Sequence, residues 1–247
     1  MRRITKLAPL AVALPLALPF VGVGTAWADG SATANLSPVV LNGSQGSGTA
    51  MVTVKGNTIN FTLAASGLAD GPHAAHIHFG ANARHECPIA SDNTGKPDDM
   101  RLSTTEGAPA YGAIVVSLTK SGDTSPASGL AVARFGSGTS VQYMRGGITV
   151  APEVAKAVEA GQAVVVVHGV KYTGARASIK SDLMPSLPAS ATDPAICGVL
   201  ASAPSGGAAT GAGGTAPQQD STLIALGGAA LLVAAGTGSL VARRNRR

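Results

Sequence analysis

Only two cysteines, Cys87 and Cys197, occur in 247 residues, so a disulfide-dense small scaffold is excluded. Aromatic residues make up 3% of the chain and charged residues 13%, against 45% hydrophobic. A charge-rich, apolar-poor disordered protein is excluded by the same figures. No GxSxG turn presents a serine nucleophile, and no phosphate-cradling loop or dinucleotide fingerprint is present. Basic residues are scarce where a nucleic-acid surface would need them. Of the 18 Lys and Arg, three open the chain and four close it, and the eleven between residues 29 and 221 face all 13 Asp and Glu. The middle is therefore slightly acidic, and nucleic acid is not an expected partner.

The ends read as targeting segments. Residues 1–28 combine a basic start, an uncharged stretch from Leu7 to Thr25, and Ala26-Trp27-Ala28 as a small-x-small cleavage site. Pro9, Pro15 and Pro19 argue against an uncleaved helix there. Residues 222–242 carry no charge over 21 residues and stop at an Arg-rich tail, 243–247. As a helix that stretch spans about 30 Å, a bilayer's hydrocarbon thickness, and the arginines place the tail inside. Residues 202–221 are a Gly/Ala/Ser/Pro tether. The expectation is an exported domain at 29–201, held outside the cell membrane by a C-terminal transmembrane helix.

That domain reads as all-β. Met51–Val54 and the alternation of Ile59, Phe61 and Leu63 around Lys55-Gly56-Asn57 predict an antiparallel hairpin. Further strands are predicted at 113–118, 130–135, 140–143, 147–150 and 163–170, spaced as in a sandwich or Greek-key barrel. One short helix is predicted, starting at Pro152 with Glu153 in its first turn and stopping at Gly161. In an oxidising compartment the two cysteines pair most simply with each other; metal ligation or nucleophilic use would need neighbouring bases or a CxxC spacing that the chain lacks.

The histidines carry the chemistry. Four of five, His73, His76, His78 and His85, lie within thirteen residues. Strand alternation puts His76 and His78 on one face and Ile77 and Phe79 on the other, which makes a bidentate metal half-site with an apolar backing. The fifth, His168, shares a face with Val164 and Val166 and is either a satisfied core residue or a third ligand from another strand. Three imidazoles with no thiolate suit copper or zinc, and three ligands leave a position open. Glu86, Asp92, Asp98 and Asp99 are further oxygen donors, in a polar run better read as solvated loop charge.

The segment GLADGPHAAHIHFGANARHEC resembles the HxxHxH and first disulfide cysteine of copper/zinc superoxide dismutases. VVVVHGV looks like that family's late copper-ligand strand, and AICGVL like its C-terminal cysteine motif. The resemblance covers about residues 46–201. It implies an eight-stranded Greek-key β-barrel, copper on His76, His78 and His168, a supporting role for His73, and a Cys87–Cys197 bridge. Departures are also plain. No histidine lies between His85 and His168, so the conventional zinc site and its bridging ligand cannot be built, and His85 is the one spare imidazole as a fourth ligand. Pro194 stands where the family places its superoxide-guiding arginine. PEVAKAVEAGQAVVVVHGV also resembles the CHRD module, an extracellular β domain not marked by enzymatic activity. The expected function is a tethered copper protein with superoxide dismutase-like chemistry, or a non-catalytic CHRD-like surface module.

Overall fold

The computed structural model describes residues 30–95 and 100–203. The signal segment, the transmembrane stretch, the basic tail and all but the first two residues of the tether lie outside them. The chain divides after Ala203 into two units, the first of which holds every described residue. Among the described residues no helix is long and apolar enough to cross a membrane.

Eleven strands and three helices follow in order: β1 Gly30–Pro38, β2 Ser47–Lys55, β3 Thr58–Ser66, β4 Pro72–His73, β5 Ala75–Phe79, α1 Thr104–Tyr111 and β6 Ala113–Ser117. After these come β7 Gly136–Ser137, β8 Ser140–Thr149, α2 Pro152–Glu159, β9 Val164–His168, α3 Ala189–Thr192, β10 Pro194–Val199 and β11 Ala201–Ser202. One antiparallel sheet runs β6-β5-β9-β10-β1-β2-β3-β8, with β11 added on β1, and β4 pairs separately with β7. The sheet curls into a half-barrel around an aliphatic core.

Period-two alternation builds that core. On β3, Ile59, Phe61 and Leu63 point inward and are almost wholly buried, and Val52 and Val54 of β2 meet them through an uninterrupted register. Ala32, Ala34 and Leu36 of β1 do the same. The sequence reading misses β1 because alanine and serine carry little strand preference; its pairing with β2 decides its conformation. The α2 helix forms where predicted, with Pro152 in its first turn and Val154, Ala157 and Val158 buried against β1 and β2.

Three expectations need correction. The barrel does not close as an eight-stranded Greek key: among the described residues no ladder joins the edge strands β6 and β8. Side chains bridge that gap instead, Tyr143 donating to the Leu118 carbonyl at 2.9 Å and Arg145 to the Thr119 hydroxyl at 2.9 Å. Among the described residues there are three helices rather than the one short helix expected. Ser103 and Glu106 form a reciprocal capping box on α1, whose S-x-x-E spacing was readable in the sequence despite Pro109 within the helix. Finally, residues 130–135 form a 3-10 turn at Val132–Arg134 rather than a strand, while the two strands predicted at 140–143 and 147–150 are the single strand β8.

Candidate metal centre

Strands β5 and β9 pair antiparallel, with His76 opposite Val166 and His78 opposite Val164. Alternation then splits both strands between two layers. Ala75, Ile77, Val165 and Val167 face the half-barrel core, whereas Val164 and Val166 pack outward with Leu102, Tyr111 and Cys197. His76, His78 and His168 emerge on this outer face, beneath the segments that follow β5, β6 and β9. All three are buried, at 1–3% exposure. Ring centroids lie 5.0 Å apart for His76–His168, 5.6 Å for His76–His78 and 6.0 Å for His78–His168. One ring nitrogen from each falls within 4.8 Å of the other two.

The remaining nitrogens explain the orientation. His76 Nε2–H donates to the Gly129 carbonyl at 3.0 Å, His78 Nδ1–H to Gly112 at 3.0 Å, and His168 Nδ1–H to Thr192 at 2.5 Å. These acceptors end helical segments: Gly112 caps α1, Gly129 caps the 3-10 turn Pro126–Ser128, and Thr192 is the last residue of α3. Carbonyls at helix ends have no intrahelical partner, so they are free to accept from side chains. With one nitrogen of each ring committed as a donor, the other carries a bare lone pair. Those are His76 Nδ1, His78 Nε2 and His168 Nε2, each buried without a hydrogen-bond partner.

Three convergent lone pairs, none bearing a proton, cannot satisfy one another. A buried polar atom left so is costly, and a cation with affinity for neutral imidazole satisfies all three at once. The donor set therefore fits copper or zinc. A carbonyl on the far nitrogen fixes the tautomer and raises the basicity of the ligating one. Burial also keeps the rings neutral: it holds His78 down to about 3 and His168 to about 4, and lowers His76 well below the usual imidazole range. The neighbouring His168 lowers His76 and His78 further, since two imidazolium charges at this range repel.

Aromatic edges wedge the rings in place, Tyr111 4.5 Å from His78 and Phe135 5.6 Å from His76. Gly112 has φ +90, and a Cβ there would lie 2.5 Å from the Phe79 carbonyl carbon, so no other residue presents that carbonyl without displacing β5.

The other histidines lie apart. His73 has both ring nitrogens 2.8 Å from carbonyl oxygens, Nδ1 at His168 and Nε2 at Ala69, which leaves neither for a metal and ties β4 to the end of β9. Gly169, at φ +101, makes room for that ring: a Cβ would sit 2.6 Å from His73 Nδ1. His85 does not join the group as a fourth ligand. Its ring stacks on Phe79, which alternates away from His78, and its Nε2 bonds the Gly80 carbonyl at 2.9 Å. Glu86 and Asp92 pair with Arg84 in an exposed cluster, and Asp98 and Asp99 lie outside the described residues.

Cys87 and Cys197 are joined in a disulfide. Cys197 on β10 sits opposite Val166, so the bridge pins the segment after β5 over the outer layer. A buried ion pair does the same from the other side: Arg101 Nη1 lies 3.0 and 2.9 Å from the Asp193 carboxylate oxygens, and Asp193 follows Thr192 directly. Tyr172 also donates to Asp193, at 2.8 Å. Sequence reasoning missed Gly112, Gly129, Thr192, Tyr111, Phe135 and the Arg101–Asp193 pair. The capping box at Ser103 was the one available signal, since it locates α1 and hence Gly112 just past its end.

A pocket of about 140 Å³ opens beside His76 and His168, with Ala74, Ile114, Leu130 and Leu183 among its walls. The model of the CHRD domain matches residues 25–176, more than half of the chain, including every histidine and the run from β1 to β9. It stops short of β10 and Cys197. No curated protein matches the chain.

Proposed function

Because the chain belongs to the CHRD domain family, we propose that it is an extracytoplasmic, non-catalytic CHRD module that carries one copper ion on His76, His78 and His168. The observation that carries this reading is the set of three buried, unprotonated nitrogens with no partner, each oriented by a backbone carbonyl on its opposite ring edge. Copper is favoured over a hard ion by the all-imidazole donors. Bound there it would supply one-electron exchange. The chain's own residues supply the rest: carbonyls at Gly112, Gly129 and Thr192 hold the rings, Tyr111 and Phe135 keep water from their edges, and the disulfide and the Arg101–Asp193 pair fasten the covering segments. Residues 1–28 direct export, and residues 222–242 hold the module at the outer face of the cell membrane.

Superoxide dismutase-like turnover is the second reading. It draws on the HxxHxH, late-histidine and cysteine motifs and on the pocket that reaches His76 and His168. No Lys or Arg lines that pocket, and among the described residues no second group of metal-ligating side chains gathers. A steered anionic substrate needs the former and a two-metal site the latter.

Copper titration of the full chain, alongside His76→Ala, His78→Ala and His168→Ala, tests the reading. One ion per chain is expected, lost in each variant, with superoxide consumed no faster than by a triple variant that combines the three substitutions. Equal copper binding by wild type and triple variant would overturn the metal site, and rapid superoxide consumption would move the assignment to the dismutase reading.

A further inference from the structure

The three bare imidazole nitrogens converge out of contact with solvent and without an anionic partner. His76 Nδ1, His78 Nε2 and His168 Nε2 are buried within 4.8 Å of one another, and among the described residues no carboxylate or thiolate joins the group. Each segment that orients a ring carries an acid, and each acid is engaged elsewhere. Asp193, next to Thr192, is held by Arg101 and by the Tyr172 hydroxyl. Asp123, on the loop leading to Gly129, accepts from the Ser125 and Ser128 hydroxyls, and Glu106 of α1 caps the start of its own helix. What surrounds the rings is neutral: Val164 and Val166 beside them on the sheet, and the edges of Tyr111 and Phe135. The pocket that flanks His76 and His168 adds no Lys, Arg, Asp or Glu. Its polar members, Thr104 and Thr192, spend their hydroxyls on the Thr192 carbonyl and on Ser181.

We infer that this site is selective for monovalent copper, binding Cu(I) in preference to Cu(II) and zinc and so raising the reduction potential of the copper it holds. The inference rests on the metal reading above and is carried by charge and by coordination number. The Born cost of burying an ion rises with the square of its charge, so a divalent ion meets about four times the penalty of a monovalent one, and three neutral imidazoles bring no charge to offset it. Zinc is almost always four-coordinate and Cu(II) tetragonal, so both call for a donor beyond three. Among the described residues no such donor converges with the imidazoles. Cu(I), with a filled d shell and a single charge, is stable with three nitrogens.

The test uses the full chain, freed of metal. Cu(I) is offered without oxygen against a chromogenic Cu(I) chelator, and Cu(II) and zinc are each offered against a chelator of divalent ions. Cu(I) is expected to bind at one per chain, at least roughly a hundredfold more tightly than either divalent ion. That ratio to Cu(II) corresponds to a potential about 120 mV or more above the aqueous couple, at 59 mV per tenfold, and voltammetry of the copper-loaded protein reads it separately. Val166→Asp places a carboxylate across the strand pair from His76 and should narrow the preference roughly tenfold, whereas Val166→Asn should keep the wild-type order. Thermal melts establish that both variants fold, and if Val166→Asp does not, the wild-type order decides alone. Zinc or Cu(II) held as tightly as Cu(I), at a site lost in the triple histidine variant, overturns the selectivity and leaves the metal site standing. Binding of no ion, or Cu(I) binding that survives in the triple variant, removes the metal reading and the selectivity with it.

Discussion

The two faces of β5 and β9 carry opposite chemistry. One face supplies Ala75, Ile77, Val165 and Val167 to the apolar core; the other, one residue out of step, supplies His76, His78 and His168 to a layer of helix ends and loops. The core face is bounded by other strands, whose carbonyls are spent on ladder bonds. The outer face is bounded by helix termini, whose carbonyls are not. Each of the three imidazoles is oriented by such an unspent carbonyl, which places the site on the outside of the half-barrel although its side chains are as buried as the core.

This comparison can be broken by substitution, starting with the fastenings of the outer layer. Arg101→Met leaves the buried Asp193 with the Tyr172 hydroxyl but without its cationic partner and should cost about 3–5 kcal/mol in chemical denaturation. It should also weaken copper binding, because Asp193 adjoins the Thr192 carbonyl that holds His168. Loss of stability with unchanged copper affinity would separate the pair from the site. On the core face, Ile77→Ala should cost about 2–5 kcal/mol through the cavity it leaves, yet the folded fraction should retain one copper per chain. If its neighbour substitution His76→Ala destabilised the metal-free protein as much as Ile77→Ala does, the two faces would not be functionally distinct.

A smaller effect is expected at Gly112→Ala. Displacing the carbonyl on His78 should lower copper affinity about 10- to 100-fold, the usual cost of disturbing a partner behind a metal ligand, and competition with a chelator would measure it. Smallest per step is the acid response of the metal-free protein. Folded pKa values of about 3 for His78 and about 4 for His168 lie below the unfolded value near 6.5, so the unfolded state binds more protons in that window. Stability is therefore full above about pH 6.5 and falls as pH drops, by up to about 1.4 kcal/mol per pH unit for each ring. His168→Phe should flatten that slope, and copper should shift it to lower pH. An acid profile identical in wild type and His168→Phe would show that the ring is not held neutral by its surroundings.

Much of this was legible along the chain. The inward alternation of Ile59, Phe61 and Leu63 announced the sheet, and the His76–Ile77–His78 spacing announced a shared face, because strand geometry has a fixed period. The first strand was harder to see: Ala32 and Ala34 are buried by their pairing with β2, not by any preference of their own. His85 lay close in sequence yet points elsewhere, since its positive φ of 58° turns the loop back toward Phe79.

Residue order alone determined which histidines could share a face, that one further histidine ended a buried valine strand, and that one pair of cysteines was available to bridge. Tertiary structure alone decided which nitrogen of each ring is bare. That choice is made by carbonyls 34, 53 and 24 residues away, at Gly112, Gly129 and Thr192. A backbone carbonyl has no residue signature, and its freedom to accept depends on where a helix ends in space.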